Sequence, residues 1–515
     1  MVFVSGSDEH GTPIEVEAAK RGVNPKDLTD KYHALVTEIF RRFNISFDNY
    51  TRTHSETHIR FCQHLFKTLY EKGHIFEETV DQLYCENCRR FLPDRFVTGL
   101  CPVCGYDRAR GDQCEACGKV LDPLELLQPR CSICGVEPVV RSSRHWFFDL
   151  PKFSAKLERW LASSEAMPDK VKRFSLSWVA EGLRPRAVTR DNMWGIPAPF
   201  PGSSGKTIYV WFEAVLGYVT ASIEWAEGVG KPGLWEEYWR DQSTKSVYFI
   251  GKDNIPFHTI ILPALLMGYD EELVLPWSVS ATEYLTFEGR KFSKSLGVGI
   301  WLDQALELAE PDYWRYYLVK MRPEQSDSSF SFNSFQSAVN SDLNDTLGNF
   351  IHRVLSFIKT HFNGAIPEPG RTSDDDRKML SLRAEIRDEV SRLFGELKMR
   401  QALDTVMLLA REGNSYLNRR EPWKLVKTNR DEAGTVFYIA AQLVWSMANL
   451  LQPFIPGSAE KVIRMLGREV VGVGWDGILE EVRPGSRIAM VTPLYRKIMD
   501  SDIEEFIGKL ASHHR

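Results

Sequence analysis

The chain has 515 residues, 43% hydrophobic and 26% charged, with a formal net charge of −5. That length supports two to four domains, each able to bury a core, and the charge balance excludes a polycation, so any nucleic-acid contact must use local patches. No run approaches 18 apolar residues and the start, Met1 to Asp8, lacks the charged-then-apolar order of a secretory signal, so neither a membrane span nor export is indicated and the cytoplasm is the expected compartment.

In chain order, residues 1–72 open with a predicted strand, Val2–Val4, that ends at Ser5-Gly6-Ser7-Asp8-Glu9-His10-Gly11-Thr12-Pro13 and passes into helical patterning. Cys62 sits there among Phe61, Leu65 and Leu69 and reads as a packed core residue. Residues 73–188 read as an insertion. They carry the other eight of nine cysteines as four C-x-x-C pairs: Cys85/Cys88, Cys101/Cys104, Cys114/Cys117 and Cys131/Cys134. Two such turns can surround one metal with four thiolates, so eight ligands make two closed, structural zinc sites. A disulfide framework suits small secreted domains, not this chain. The short link from Gly105 to Gln113 pairs Cys101/Cys104 with Cys114/Cys117, and Cys85/Cys88 then close on Cys131/Cys134.

Residues 189–275 hold two predicted strands, Ile208–Phe212 and Ser246–Ile250, each leading into a helix, which is the rhythm of an α/β sheet. Gly251-Lys252-Asp253 lies just past the second, at the carboxyl edge where such sheets bind ligands. Residues 276–332 contain Lys291-Phe292-Ser293-Lys294-Ser295 after a Gly-punctuated apolar stretch. Two lysines three apart on a small-residue loop can hold a polyphosphate, although a solvated basic turn has the same composition. From 333 to 485 apolar residues recur at helical spacing (Leu343, Leu347, Phe350, Ile351, Val354, Leu355, Ile358), Ile366 to Gly370 form a connecting loop, and 486–515 end in a helical stretch.

Taken together, these motifs resemble the methionyl-tRNA synthetases, of class I, over nearly the whole length. The resemblance rests on Gly6 to Pro13, the four C-x-x-C pairs, Arg190-Asp191 with Trp194 to Pro197, Tyr209 to Ala214, Phe249 to Asp253 with Phe257-His258, and a K-M-S-K-S-like loop with Phe for Met. It implies a Rossmann-type parallel-sheet catalytic domain, incomplete at its amino end and carrying a zinc-knuckle insertion, followed by an all-α helical-bundle anticodon domain. It also implies adenylation of L-methionine by ATP with Mg2+, then transfer to tRNA(Met), by a monomer. Asp8 would hold the methionine ammonium; Trp211, Ala214, Val215, Tyr218 and His258 would line the side-chain pocket. Gly251 and Asp253 would approach the adenosine, and Lys291, Ser293, Lys294 and Ser295 the phosphates. Asn349, Arg353 and Trp423 would read the anticodon, with Arg419 and Arg420 near phosphates. As bare residues, Asp8 reads equally as a helix cap, Trp211 and Tyr218 as core, His258 as a satisfied buried histidine, and Asn349 with Arg353 as a solvated helix face.

The sequence departs from the family at one point. Class I enzymes carry an H-I-G-H-type motif about 30 residues before the segment matching Asp8, whereas only seven residues precede Asp8 here, and Glu56-Thr57-His58-Ile59 is not an equivalent. The expectation is a truncated product or misplaced start with weak adenylation, since each lost oxyanion-type donor costs on the order of 10²–10³-fold. The alternatives are a catalytically impaired tRNA-binding relative, another class I synthetase (for leucine, isoleucine, valine or cysteine), and a zinc-ribbon module on an unrelated α/β enzyme. The intact pocket series and lysine loop disfavour the first; closed four-thiolate sites (for cysteine) and the lack of room for a large editing domain (for leucine, isoleucine and valine) disfavour the second; the ordered motifs disfavour the last.

Overall fold

The computed structural model describes the chain except residues 94–95, 112–113, 115, 118, 120, 293–297, 471–473 and 514–515. It divides into two compact units, one of Met1–Glu38 with Ser46–Ala281, the other of Ile39–Ile45 with Thr282–Arg515.

The first unit is mixed α/β. Strand Val4–Ser7 pairs in parallel with Asn49–Arg52, and helices Thr12–Arg21 and Pro25–Arg42 make the crossover. Pairing begins near the expected Val2–Val4 but runs on through Ser7, because the Phe3 N–H donates to the Asp48 carboxylate and hydrogen bonding then continues along Ser5 and Gly6. At Gly6 a Cβ would lie 2.9 Å from the Thr51 carbonyl oxygen, so a side chain there would push the pair apart. Gly11 has φ +100°, a left-handed conformation that lets the chain turn sharply from Asp8–His10 into the next helix. Helix Glu56–Glu71 starts at Ser55, whose hydroxyl accepts from the His58 N–H, and it buries Cys62, Leu65, Phe66 and Leu69 as one apolar stripe. Cys62 is therefore core, as expected.

Strand Val247–Gly251 forms as expected, shifted by one residue, and pairs with Ser278–Thr282. Ile208–Phe212 does not form a single strand. Only Thr207–Ile208 is extended, paired antiparallel with Thr189–Arg190, and Val210–Glu213 is helical. The Phe212 N–H donates to the Tyr209 carbonyl, and the adjacent Phe212 and Glu213 are both buried while Trp211 is exposed. A short apolar run satisfies either period, and here packing chooses the helix.

The insertion hangs on a long antiparallel hairpin, Ile75–Cys85 against Val139–Phe148, with Ile75 opposite Phe148 and Tyr84 opposite Val139. That register brings Cys85 at one strand end toward the Cys131/Cys134 turn. A small three-stranded sheet (Val97–Leu100, Ala109–Arg110, Leu127–Cys131) covers a core of Leu83, Leu92, Phe96, Val97, Leu121 and Leu126, completed by buried cysteines.

The second unit is mainly helical. It includes one parallel pair, Leu285–Phe287 with Ser328–Phe330. The expected apolar stripe from Leu343 to Ile358 is buried throughout, and Ile366 to Gly370 is an irregular connection. Helix Arg430–Leu451 is long and apolar enough to cross a membrane, yet it is the buried centre of this bundle, packed by Asp374–Gly395 and Met399–Arg420. Among the described residues the Arg315 guanidinium is held by backbone carbonyls. It donates to the carbonyls of Phe43, Asn44, Pro453 and Phe454, which satisfies the ends of two helices with one guanidinium.

Candidate active site and metal centres

A cavity of about 260 Å³, open to solvent, lies in the first unit. The six residues expected to hold an amino acid, Asp8, Trp211, Ala214, Val215, Tyr218 and His258, all line it. They come from three places: the turn after strand Val4–Ser7, the helical segments from Val210 to Gly228, and a π-helical turn at Phe257–Ile261. Trp211 stacks on Phe257 at 4.8 Å. The His258 Nδ1 lies 2.9 Å from the Asn254 carbonyl oxygen, which can only accept, so Nδ1 carries the proton. Nε2 then accepts from the Tyr218 hydroxyl at 2.8 Å. Burial holds the His258 pKa below its ordinary value. This part of the lining is thus neutral, aromatic and internally satisfied.

The cavity lining also includes a carboxyl group, that of Asp8. Asp8 is exposed to the open cavity, but the protein atoms crowded around its carboxyl desolvate it, and this together with the nearby Glu213 charge raises it from 3.8 to about 7, against the lowering effects of His10. Its neighbour Glu9 is held by Arg52 at 2.6 Å and by the Ser7 hydroxyl at 2.7 Å, so Asp8 is the carboxylate left facing the cavity from this turn.

Gly251 and Asp253 lie at the end of strand Val247–Gly251, two turns before the cavity wall at His258. A Cβ on Gly251 would meet nothing within 4 Å, so no neighbour in this chain demands a glycine there. Lys291 is exposed in the second unit, beyond the Phe287–Arg290 turn, and Phe292 packs toward Phe287 at 5.8 Å. Ser293, Lys294 and Ser295 lie outside the described residues.

The eight cysteines gather into the two expected quartets, Cys85/Cys88/Cys131/Cys134 and Cys101/Cys104/Cys114/Cys117. The sulfur pairs Cys85–Cys134, Cys88–Cys131, Cys101–Cys117 and Cys104–Cys114 are 3.5, 3.9, 3.9 and 3.6 Å apart. A tetrahedral ion with sulfur ligands at about 2.3 Å places sulfurs about 3.8 Å apart. Both quartets therefore fit a four-coordinate metal.

A second cleft lies in the helical unit, lined by Arg353, Phe357, His361, Pro422 and Trp423 among others. The Arg353 guanidinium carbon is 5.3 Å from the Trp423 ring centre. Asn349 begins helix Asn349–His361 one turn before Arg353; it is exposed and outside the cleft lining. Arg419 and Arg420 are not spare charge for phosphates: Arg419 pairs with Asp375 at 2.9 Å and Arg420 with Glu432 at 2.8 Å.

Residues 1–355 match the family of class I tRNA synthetases (M), and residues 366–515 the anticodon binding domain of methionyl tRNA ligase. The chain belongs to the methionyl-tRNA synthetase family. It is 51% identical over 510 residues to the methionine–tRNA ligase of Korarchaeum cryptofilum, covering 99% of this chain and 90% of that one. It is also 51% identical over 519 residues to that of Ignicoccus hospitalis, covering 100% and 91%. The fold is similar to Mycobacterium tuberculosis methionyl-tRNA synthetase bound by methionyl-adenylate, with a TM-score of 0.80 at 24% identity over 96% of this chain and 92% of the other.

Within this family framework, the sequence reading missed a buried polar network beside the cavity. Glu213 is wholly buried and accepts from His10 Nδ1 and His58 Nε2, each at 2.8 Å. His10 Nε2 meets His54 Nδ1 at 2.9 Å, and His58 Nδ1 meets Thr220 Oγ1 at 2.8 Å. Although burial acts to raise the Glu213 pKa, these two histidines hold it below the usual value. The available signal was Glu213 itself: one acid inside the apolar run from Ile208 to Leu216 must be buried with partners. Asp191, of the Arg190-Asp191 motif, is likewise engaged, by His145 at 2.8 Å and by Lys206.

Proposed function

We propose that this member of the family joins L-methionine to tRNA(Met) in two steps, in the cytoplasm, with the cavity at Asp8 as the amino-acid site. The observation that carries the reading is the cavity's lining: the Asp8 carboxyl together with a neutral aromatic cage of Trp211, Tyr218 and His258, the lining Arg52 being engaged by Glu9. An α-ammonium group pairs with Asp8, and an uncharged, polarisable thioether suits Trp211, Tyr218 and His258. The methionine carboxylate attacks the α-phosphate of ATP and pyrophosphate leaves; a ribose hydroxyl of the tRNA then attacks the acyl carbon and AMP leaves. Positioning and charge stabilisation supply the catalysis. Gly251 and Asp253 would contact adenosine. Lys291, Ser293, Lys294 and Ser295 would hold the phosphates, whose oxygens would carry the magnesium ion. The cysteine quartets would hold zinc, which supplies folding energy with no open position for water. On this reading the catalytic domain spans 1–72 and 189–275, the zinc insertion 73–188, the lysine-loop region 276–332, the anticodon domain 333–485 and a tail 486–515.

Equilibrium binding tests the substrate assignment. Methionine should bind more tightly than leucine or valine, and tRNA(Met) more tightly than other tRNAs; equal affinity across either set would refute it. Stacking of a splayed anticodon base on Trp423, beside Arg353, makes a separate prediction. Trp423→Ala should weaken tRNA(Met) binding by about 1–3 kcal/mol, the usual worth of one stacked base, and leave methionine binding unchanged. Filter binding against dialysis with labelled methionine separates the two; a loss shared by both would point to misfolding instead.

A further inference from the structure

We propose that Glu213 is a positioning residue for amino-acid recognition, its buried carboxylate clamping the Asp8 turn to the wall that carries Trp211 and Ala214. The inference rests on reading Asp8 as the ammonium partner. Glu213 closes the short helix Val210–Glu213, so its backbone is continuous with Trp211 on one side and Ala214 on the other. One carboxylate oxygen accepts from His10, two residues after Asp8; the other accepts from His58 on helix Glu56–Glu71. Both His10 Nδ1 and His58 Nε2 must carry protons, because a buried carboxylate without donors would be expensive. The clamp continues at each end, through His58 to Thr220 on the helix bearing Tyr218, and through His10 to half-buried His54, whose ring lies 4.3 Å from that of Trp194. Three walls of the cavity are thus referenced to a single carboxylate.

The same charge bears on Asp8. Glu213 raises the Asp8 pKa and His10 lowers it. The other titratable groups facing the cluster are Glu9, paired with Arg52 and near His33, then His54, and Cys62, whose thiol is 3.4 Å from His58 Nε2. Removing Glu213's charge should therefore ease ionisation of Asp8, and removing His10 should hinder it.

The test is methionine affinity as a function of pH, measured by equilibrium dialysis on the full chain and on Glu213→Gln, His10→Gln and Asp8→Asn, with ATP affinity and thermal unfolding in parallel. Glu213→Gln should weaken methionine binding above pH 8 on the order of ten- to a hundred-fold through misplacement of the walls. It should also move the acid limb of binding to lower pH. His10→Gln should move that limb up. Opposite shifts in two variants that break one hydrogen bond are a signature that simple loss of stability does not produce. Limbs unmoved in both folded variants, or equal losses for methionine and ATP, would overturn the proposal. If Glu213→Gln does not fold, the upward shift in His10→Gln decides. Unchanged methionine affinity in Asp8→Asn would instead refute the ammonium assignment on which the inference rests.

Discussion

Replacing Asp8 by Asn is expected to weaken methionine binding about 10²–10³-fold while ATP binding is unchanged. The substitution keeps the shape and removes the charge, and losing one partner of a buried, hydrogen-bonded charge pair costs roughly 2–5 kcal/mol. The pH dependence gives a second readout. With the Asp8 carboxyl raised to about 7, the group is largely protonated at pH 6 and cannot pair with an ammonium. Methionine affinity in the unsubstituted chain should rise about tenfold per pH unit below 7 and level off above 8, and Asp8→Asn should abolish that limb. The folded state binds this proton more tightly than the unfolded chain. Asp8's contribution to stability is therefore complete below its ordinary value of 3.8 and is lost as pH rises through about 7. Methionine should then raise the unfolding temperature more at pH 8 than at pH 6. A flat pH profile of methionine affinity would remove Asp8 from the site.

Stripping metal from the chain is expected to unfold the insertion and spare the helical unit. The insertion's core has few apolar residues besides Leu83, Leu92, Phe96, Val97, Leu121 and Leu126, and buried cysteines make up much of the remainder. Such a core cannot offset the entropy of ordering the loops around it. Zinc at a four-thiolate site supplies about 10–16 kcal/mol near neutral pH. Elemental analysis should give two zinc ions per chain and one in Cys131→Ser. After treatment with a strong chelator, limited proteolysis should cut between residues 85 and 134 while the helices from Phe332 to Leu451 resist. An insertion that stays protease-resistant without metal would show that the quartets are not what holds it together.

Much of this was legible in the chain because function imposes local chemistry. C-x-x-C spacing is a ligand geometry written in four residues, and the short link between the inner pairs pointed to the quartets that the folded chain brings together. The six cavity residues were legible only through the resemblance, since nothing in an isolated Trp211 or His258 distinguishes a pocket wall from core. What stayed hidden depends on partners far away in sequence. Val210–Glu213 turns helical where the adjacent Phe212 and Glu213 are both buried, which a strand facing one core could not do. Arg419 and Arg420 look like free positive charge until Asp375 and Glu432 are placed beside them. Glu213 looks like an interruption of an apolar run until His10 and His58 arrive from more than 150 residues upstream.

The four carbonyls around Arg315 bear on how the molecule can be dissected. Two of them, from Phe43 and Asn44, are supplied by a seven-residue piece of the amino-terminal sequence, Ile39–Ile45, that is built into the carboxyl-terminal unit. A cut at residue 281 would follow the apparent boundary and still take this piece away. It would leave a half-buried guanidinium with two of its four carbonyl acceptors and strip Ile39 and Phe43 from the apolar core they join. The carboxyl-terminal unit is therefore not encoded by one continuous stretch of gene, and a fragment meant to be stable on its own needs residues 39–45 returned to it, either fused by a linker or supplied as a peptide.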